Sequence, residues 1–129
     1  MKNKKKGFTI AELLIVVAII GVMVAIVIPI YAAKLHRVRV AVDWTNVRSY
    51  YSQLQYEFLE TEKVNGSYLH EITMSPTGLT LFELSGQTIH LKAGSIWVAE
   101  EDKNKGYNIL YSCKANHPEC QLILPLDLQ

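Results

Sequence analysis

Cysteine is nearly missing: the 129 residues include only Cys113 and Cys120, both late in the chain. A fold tethered mainly by disulfides is therefore excluded. Charge is missing from residues 13–33, where Gly21 and Pro29 are the only interruptions of an apolar run. Glycine and proline are in turn absent from residues 30–65. A basic stripe is absent too. The formal net charge is +1, from 13 basic and 12 acidic residues, and Lys2, Lys4, Lys5 and Lys6 all lie in the first seven positions. Without those four lysines the remainder has 9 basic against 12 acidic residues, or −3, which does not suit a general nucleic-acid binder. Half of the residues are apolar, which excludes a disordered chain. The length allows one domain plus a tail or anchor.

Catalytic signatures are missing as well. There is no G-x-S-x-G, no P-loop and no dinucleotide fingerprint. His36, His70, His90 and His117 are scattered without ligand spacing, and His70-Glu71 lacks the second histidine of a zinc-protease helix. Glu100, Glu101 and Asp102 form one acidic cluster, which reads as a solvated hairpin tip rather than a calcium site. Nothing points to an enzyme or to a cofactor.

What is present is a cationic start followed by a long apolar run. The 21 residues from Leu13 to Ala33 would span ~32 Å as a helix, against a hydrocarbon core about 30 Å thick. A secretory signal peptide has a shorter apolar region and an A-x-A-like cleavage site, and no A-x-A occurs in this sequence. The run therefore reads as a membrane span with its N-terminus held in the cytoplasm by lysines. Lys34, Arg37 and Arg39 follow on the far side, so the charge rule is not clean. Glu12 is the anomaly, because an acid at membrane depth is costly and usually has a partner. Ala11, Ala18, Ala25 and Ala32 recur every seven residues, with Gly21 on the same side. Such small residues let helices approach closely in a membrane.

The stretch Lys6 to Leu14, K-G-F-T-I-A-E-L-L, followed by the apolar run, resembles type IV pilins and the pseudopilins of type II secretion systems. The resemblance covers about one-fifth of the chain. It implies a leader peptide, residues 1–7, cut after Gly7 by a prepilin peptidase on the cytoplasmic face, which then N-methylates Phe8. It implies that Glu12 pairs with the Phe8 amine of a neighbouring subunit and so sets the stagger of a helical homo-oligomeric filament. It gives Gly21 and Pro29 as the positions where the helix bends. Its implied partners are the peptidase, an assembly platform in the inner membrane, membrane lipid and, at the surface, DNA or a host cell. The precursor would be a single-pass protein of the cytoplasmic membrane. The product would be an extracellular pilus serving adhesion, twitching motility or DNA uptake, with a periplasmic pseudopilus as the alternative.

The remaining chain agrees with such a subunit. Val40, Trp44, Val47, Tyr51, Leu54 and Phe58 keep helical spacing, while Arg39, Asp43, Arg48, Ser52, Gln55 and Glu62 mark the opposite side. Pro29 removes one helical hydrogen bond and Gly21 weakens the same region. Residues 8–34 thus read as the transmembrane and filament-core helix, and residues 35–63 as an amphipathic continuation. From Gly66 glycines punctuate short apolar segments: Thr80–Leu84, Thr88–Leu91, Ser95–Ala99, Tyr107–Ser112 and Gln121–Leu124. These predict an antiparallel meander over residues 64–129. The fold class is α+β, with a long N-terminal helix packed on a small antiparallel sheet. Asn65-Gly66-Ser67 reads as a turn after the helix rather than a glycosylation site. Cys113 and Cys120 enclose KANHPE. In an oxidising compartment a disulfide is the expected state, and C-x3-H-x2-C lacks the fourth ligand that zinc requires. In the family, a C-terminal disulfide bounds a variable surface region.

Overall fold

The computed structural model describes residues 6–70, 77–102 and 105–126. Lys2, Lys4 and Lys5 of the expected leader lie outside the described residues. Compact packing divides the chain after Leu35, and His36 opens the second unit.

One helix, α1 (Ile10–Thr61), runs through both Gly21 and Pro29. Its apolar part, from Ile10 to Lys34, is solvent-facing on every side, and Ile10, Leu13, Met23 and Ile28 are all more than half exposed. Beyond His36 the helix becomes amphipathic and buries Val40, Asp43, Val47, Tyr50 and Leu54. The 3-4-3-4 spacing of those five residues is one face of a helix. Glu62 ends α1 in the left-handed region, with φ of 54°. A short 3-10 turn, Gly66–Tyr68, follows, with the Asn65 side chain accepting from the Ser67 N–H.

The five strands appear where the sequence places them: β1 (Leu81–Leu84), β2 (Gln87–His90), β3 (Gly94–Glu100), β4 (Tyr107–Cys113) and β5 (Leu122–Leu124). They form two antiparallel sheets rather than one meander. One holds β1 and β2, and the other has the order β3-β4-β5. The break falls at Leu91–Ala93, where the turn leaves the first sheet and is held by the helix instead of continuing the ladder. Single bridges, His70 to Val98 and Leu79 to Ile96, cover the free edge of β3. Ser85 and Gly86 make the two-residue turn between β1 and β2, both with positive φ, which matches the right-handed twist of a hairpin.

Strands β3 and β4 pair along their full length, with Ile96 opposite Tyr111 and Val98 opposite Ile109. Their inward residues alternate strictly with half-buried ones, as a sheet with one covered face requires. Ile96, Val98, Tyr107, Ile109 and Tyr111 are fully buried, together with Val47 and Leu54 of α1. Tyr50 stacks on Phe82 with ring centroids 4.4 Å apart, which joins the small sheet to the same core. Gly94 is required by close approach: a Cβ there would meet the Ser112 carbonyl and the Tyr111 ring.

Candidate functional site: the N-terminal motif and a histidine–cysteine cluster

Gly7 and Phe8 lie in irregular chain just before α1, and Phe8 is 91 % exposed. The scissile bond expected from the sequence is therefore fully accessible. Thr9 stands at the helix N-cap. The Glu12 backbone N–H donates to Thr9 Oγ1 at 3.3 Å, and the Thr9 backbone N–H donates to Glu12 Oε2 at 3.0 Å. This is a reciprocal capping box, which satisfies two of the orphan donors at a helix start. It also fixes the Glu12 carboxylate one residue from Phe8. The T-x-x-E spacing that makes it is visible in the sequence, although the acid alone drew notice there.

A second cluster lies where α1 meets the β4–β5 connection. Cys113 ends β4, His117 precedes the 3-10 turn Pro118–Cys120, and β5 follows at once. His36 of α1 reaches the same point. Its Nε2 lies 3.5 Å from Cys120 Sγ, and its ring meets that of His117 edge-on at 5.8 Å. The Trp44 indole N–H donates to the Cys120 carbonyl at 3.2 Å and ties the turn to the helix one step further on. Four candidate ligand atoms, from His36, Cys113, His117 and Cys120, all lie within 4.8 Å of one another.

Both cysteines are buried and carry free thiols. Burial works to raise the Cys113 thiol, but a hydrogen bond with Cys120 and backbone N–H groups of His117 and Ala115 outweigh it, so the group sits below its ordinary value. Cys120 is pushed up to about 11, first by burial and then by its contact with Cys113. The histidines do not all stay scattered: two of the four come together with both cysteines. His36 is 84 positions from Cys120, and only the packing of α1 on the sheet joins them. His90 stands on β2 in the smaller sheet, and His70 bridges to β3.

The family described as "Prokaryotic N-terminal methylation motif" matches residues 2–28. A "Type IV major fimbrial protein FimA" from Dichelobacter nodosus is 39 % identical over 83 residues, which is 64 % of this chain and 50 % of that protein. Another FimA of the same organism is 54 % identical over 41 residues, 32 % of this chain and 26 % of its own length. A "Fimbrial protein" from Moraxella nonliquefaciens is 46 % identical over 43 residues, 33 % of this chain and 28 % of its own. The motif and the fimbrial relatives support the type IV pilin family. The chain spans half the length of the first of these relatives and about a quarter of the others. No solved structure matches the chain.

The second compact unit holds one internal surprise. Asp43, placed by sequence on the polar side of α1, is fully buried. Its Oδ1 accepts from the Lys92 N–H at 2.9 Å, and its Oδ2 from the Ala93 N–H at 2.7 Å and the Tyr111 hydroxyl at 3.0 Å. A buried carboxylate is tolerated when donors surround it in this way. The true inner face therefore runs through Asp43 and Tyr50, while Trp44, Tyr51 and Phe58 are only partly buried against the core.

Proposed function

We propose that this chain is a type IV pilin, the precursor of a filament subunit. The prepilin peptidase cuts between Gly7 and Phe8 and methylates the new Phe8 amine. The precursor waits in the cytoplasmic membrane, spanned by the apolar part of α1, and an inner-membrane platform then packs residues 8–34 of many copies into the filament core. The observation that carries this reading is the exposure of every residue of α1 from Ile10 to Lys34. None of its 18-residue apolar window is buried within the chain, and so large an apolar surface is stable only in lipid or against other copies.

Cleavage after Gly7 would create a cation at Phe8, with an ordinary pKa of about 7.7–8.0. Glu12 already directs its carboxylate toward that end of the helix. A neighbour's amine meeting Glu12 removes an unpaired charge from an apolar setting, which favours one stagger over others. The relatives are fimbrial proteins by name, which supports a structural role over catalysis and a surface pilus over a secretion pseudopilus. Adhesion, twitching motility or DNA uptake would then be properties of the assembled fibre.

The test is intact-mass and N-terminal analysis of the chain from membranes and from a sheared surface fraction. A chain that begins at N-methylated Phe8 and is abundant in the sheared fraction is expected. A chain that keeps residues 1–7 in both fractions would mean a simple membrane anchor and would end this reading.

A further inference from the structure

We propose that His36, Cys113, His117 and Cys120 form a structural zinc site that fastens α1 to the β4–β5 connection. The donor set is two sulfurs and two imidazoles, a set that zinc takes in closed, four-coordinate sites. The sequence alone offers three of these, C-x3-H-x2-C, and lacks the fourth. The fold supplies it from the helix.

The geometry is close to what the ion needs. Bonds of about 2.3 Å to sulfur and about 2.0 Å to nitrogen put tetrahedral ligand atoms about 3.3–3.8 Å apart. The four atoms here already lie within 4.8 Å of one another. Closing on an ion thus asks for at most about 1.0–1.5 Å at the widest pair, shared between two side chains. Three of the ligands stand on one short connection that begins at the end of β4 and closes with β5, and the fourth is held by a helix whose Trp44 also grips that connection. The outer contacts fit as well. Backbone N–H groups of Ala115 and His117 point at the Cys113 sulfur, and such contacts stabilise a metal-bound thiolate and orient it. Both sulfurs are buried, whereas His117 is exposed and leaves an entry path.

The ion would also explain why the cluster is assembled across 84 positions of sequence. A Cys113–Cys120 disulfide would close only the connection on itself and would leave His36 and His117 without a task. A zinc ion cross-links the connection to α1 next to the start of the second compact unit. Ligand binding of this kind contributes directly to folding free energy.

The test uses the full chain, purified in detergent from its native membrane without added metal and with thiols blocked only after denaturation. Elemental analysis is expected to find one zinc per chain, and intact mass to find both cysteines reduced. Removing the metal with a chelator is expected to lower the thermal transition and to make both thiols open to alkylation. Refilling with Co2+ is expected to give a thiolate-to-cobalt charge-transfer band, lost in Cys113→Ser. His36→Ala, at a half-buried surface position, is expected to weaken zinc affinity at least about tenfold while the helical signal of the chain is kept. A native chain with Cys113 and Cys120 joined overturns the proposal, whatever the reduced protein binds afterwards. So does a reduced chain without zinc, or zinc affinity unchanged by both His36→Ala and His117→Ala. Filament yield plays no part in these readouts, so failure here leaves the assembly reading intact.

Discussion

The Tyr111 hydroxyl donates to Asp43 Oδ2 at 3.0 Å, across 68 positions of sequence and out of contact with water. The same carboxylate takes the N–H groups of Lys92 and Ala93. One helix residue therefore holds β4 and the turn between the two sheets. Asp43→Ala would leave the buried Ala93 N–H without its acceptor, at a cost of about 1–3 kcal/mol, and would also strip the partly buried Lys92 N–H. Tyr111→Phe removes only one charged hydrogen bond, about 1.5–3 kcal/mol. Thermal melts of the full chain in detergent should rank wild type above Tyr111→Phe and Tyr111→Phe above Asp43→Ala. An Asp43→Ala chain as stable as wild type would show that this carboxylate does not organise the fold.

Alkaline pH should destabilise the protein through its buried tyrosines. Burial, then Tyr68, Tyr107 and Glu57, pushes Tyr50 up to about 12. Burial, then the Asp43 hydrogen bond, raises Tyr111 further. In the unfolded chain both lose their protons near pH ~10. Above that point the unfolded state binds fewer protons than the folded one, so stability falls as pH rises. Below it the contribution is fully present. Each tyrosine accounts for at most about 1.4 kcal/mol per pH unit in that range. Melting temperatures should be level up to about pH 9.5 on this account and then decline, with a shallower decline in Tyr111→Phe.

Two glycines should respond differently to the same change. Gly94 starts β3, where an added Cβ would press on the Ser112 carbonyl and within 2.7 Å of the Tyr111 hydroxyl. Backbone cannot give way cheaply, so Gly94→Ala should cost about 1–3 kcal/mol, the usual range for overpacking. Gly66 has open space around it, and Gly66→Ala should stay within about 0.5 kcal/mol of wild type. Equal melting temperatures for the two variants would contradict the close approach at Gly94.

Much of this was legible in the sequence. Each strand stands within two residues of its expected bounds, because alternation and glycine turns act locally. The helix was legible too, since no glycine or proline interrupts residues 30–65. Asp43 was not. A lone charged residue on a helix defaults to water, and its three donors come from residues 49, 50 and 68 positions away. His36 was missed for the same reason. Its spacing to Cys120 encodes nothing until α1 and β4 pack together. The division into two sheets was hidden likewise, because the turn at Leu91–Ala93 is fixed by a helix side chain and not by its own residues.

Glu12 has two separable tasks, and one substitution distinguishes them. Its carboxylate caps α1 by accepting from the Thr9 N–H, and on the assembly reading it also meets a neighbour's Phe8 amine. Glu12→Gln keeps a side-chain oxygen for the cap, as glutamine does in the capping box, but removes the charge. Glu12→Ala removes both. If charge pairing sets the stagger, the two variants should accumulate in membranes in processed form and should both be nearly absent from the sheared fraction. If the cap is the essential contribution, Glu12→Gln should restore filaments while Glu12→Ala does not. Wild-type filament yield from both variants would sink the assembly role of this residue altogether. The cap itself contributes only about 1 kcal/mol, too little to account for a complete loss of filaments, whereas the Phe8 ammonium that either variant leaves unpaired at membrane depth costs about 2.5–3.5 kcal/mol or more per subunit. That difference is why the loss should follow the charge.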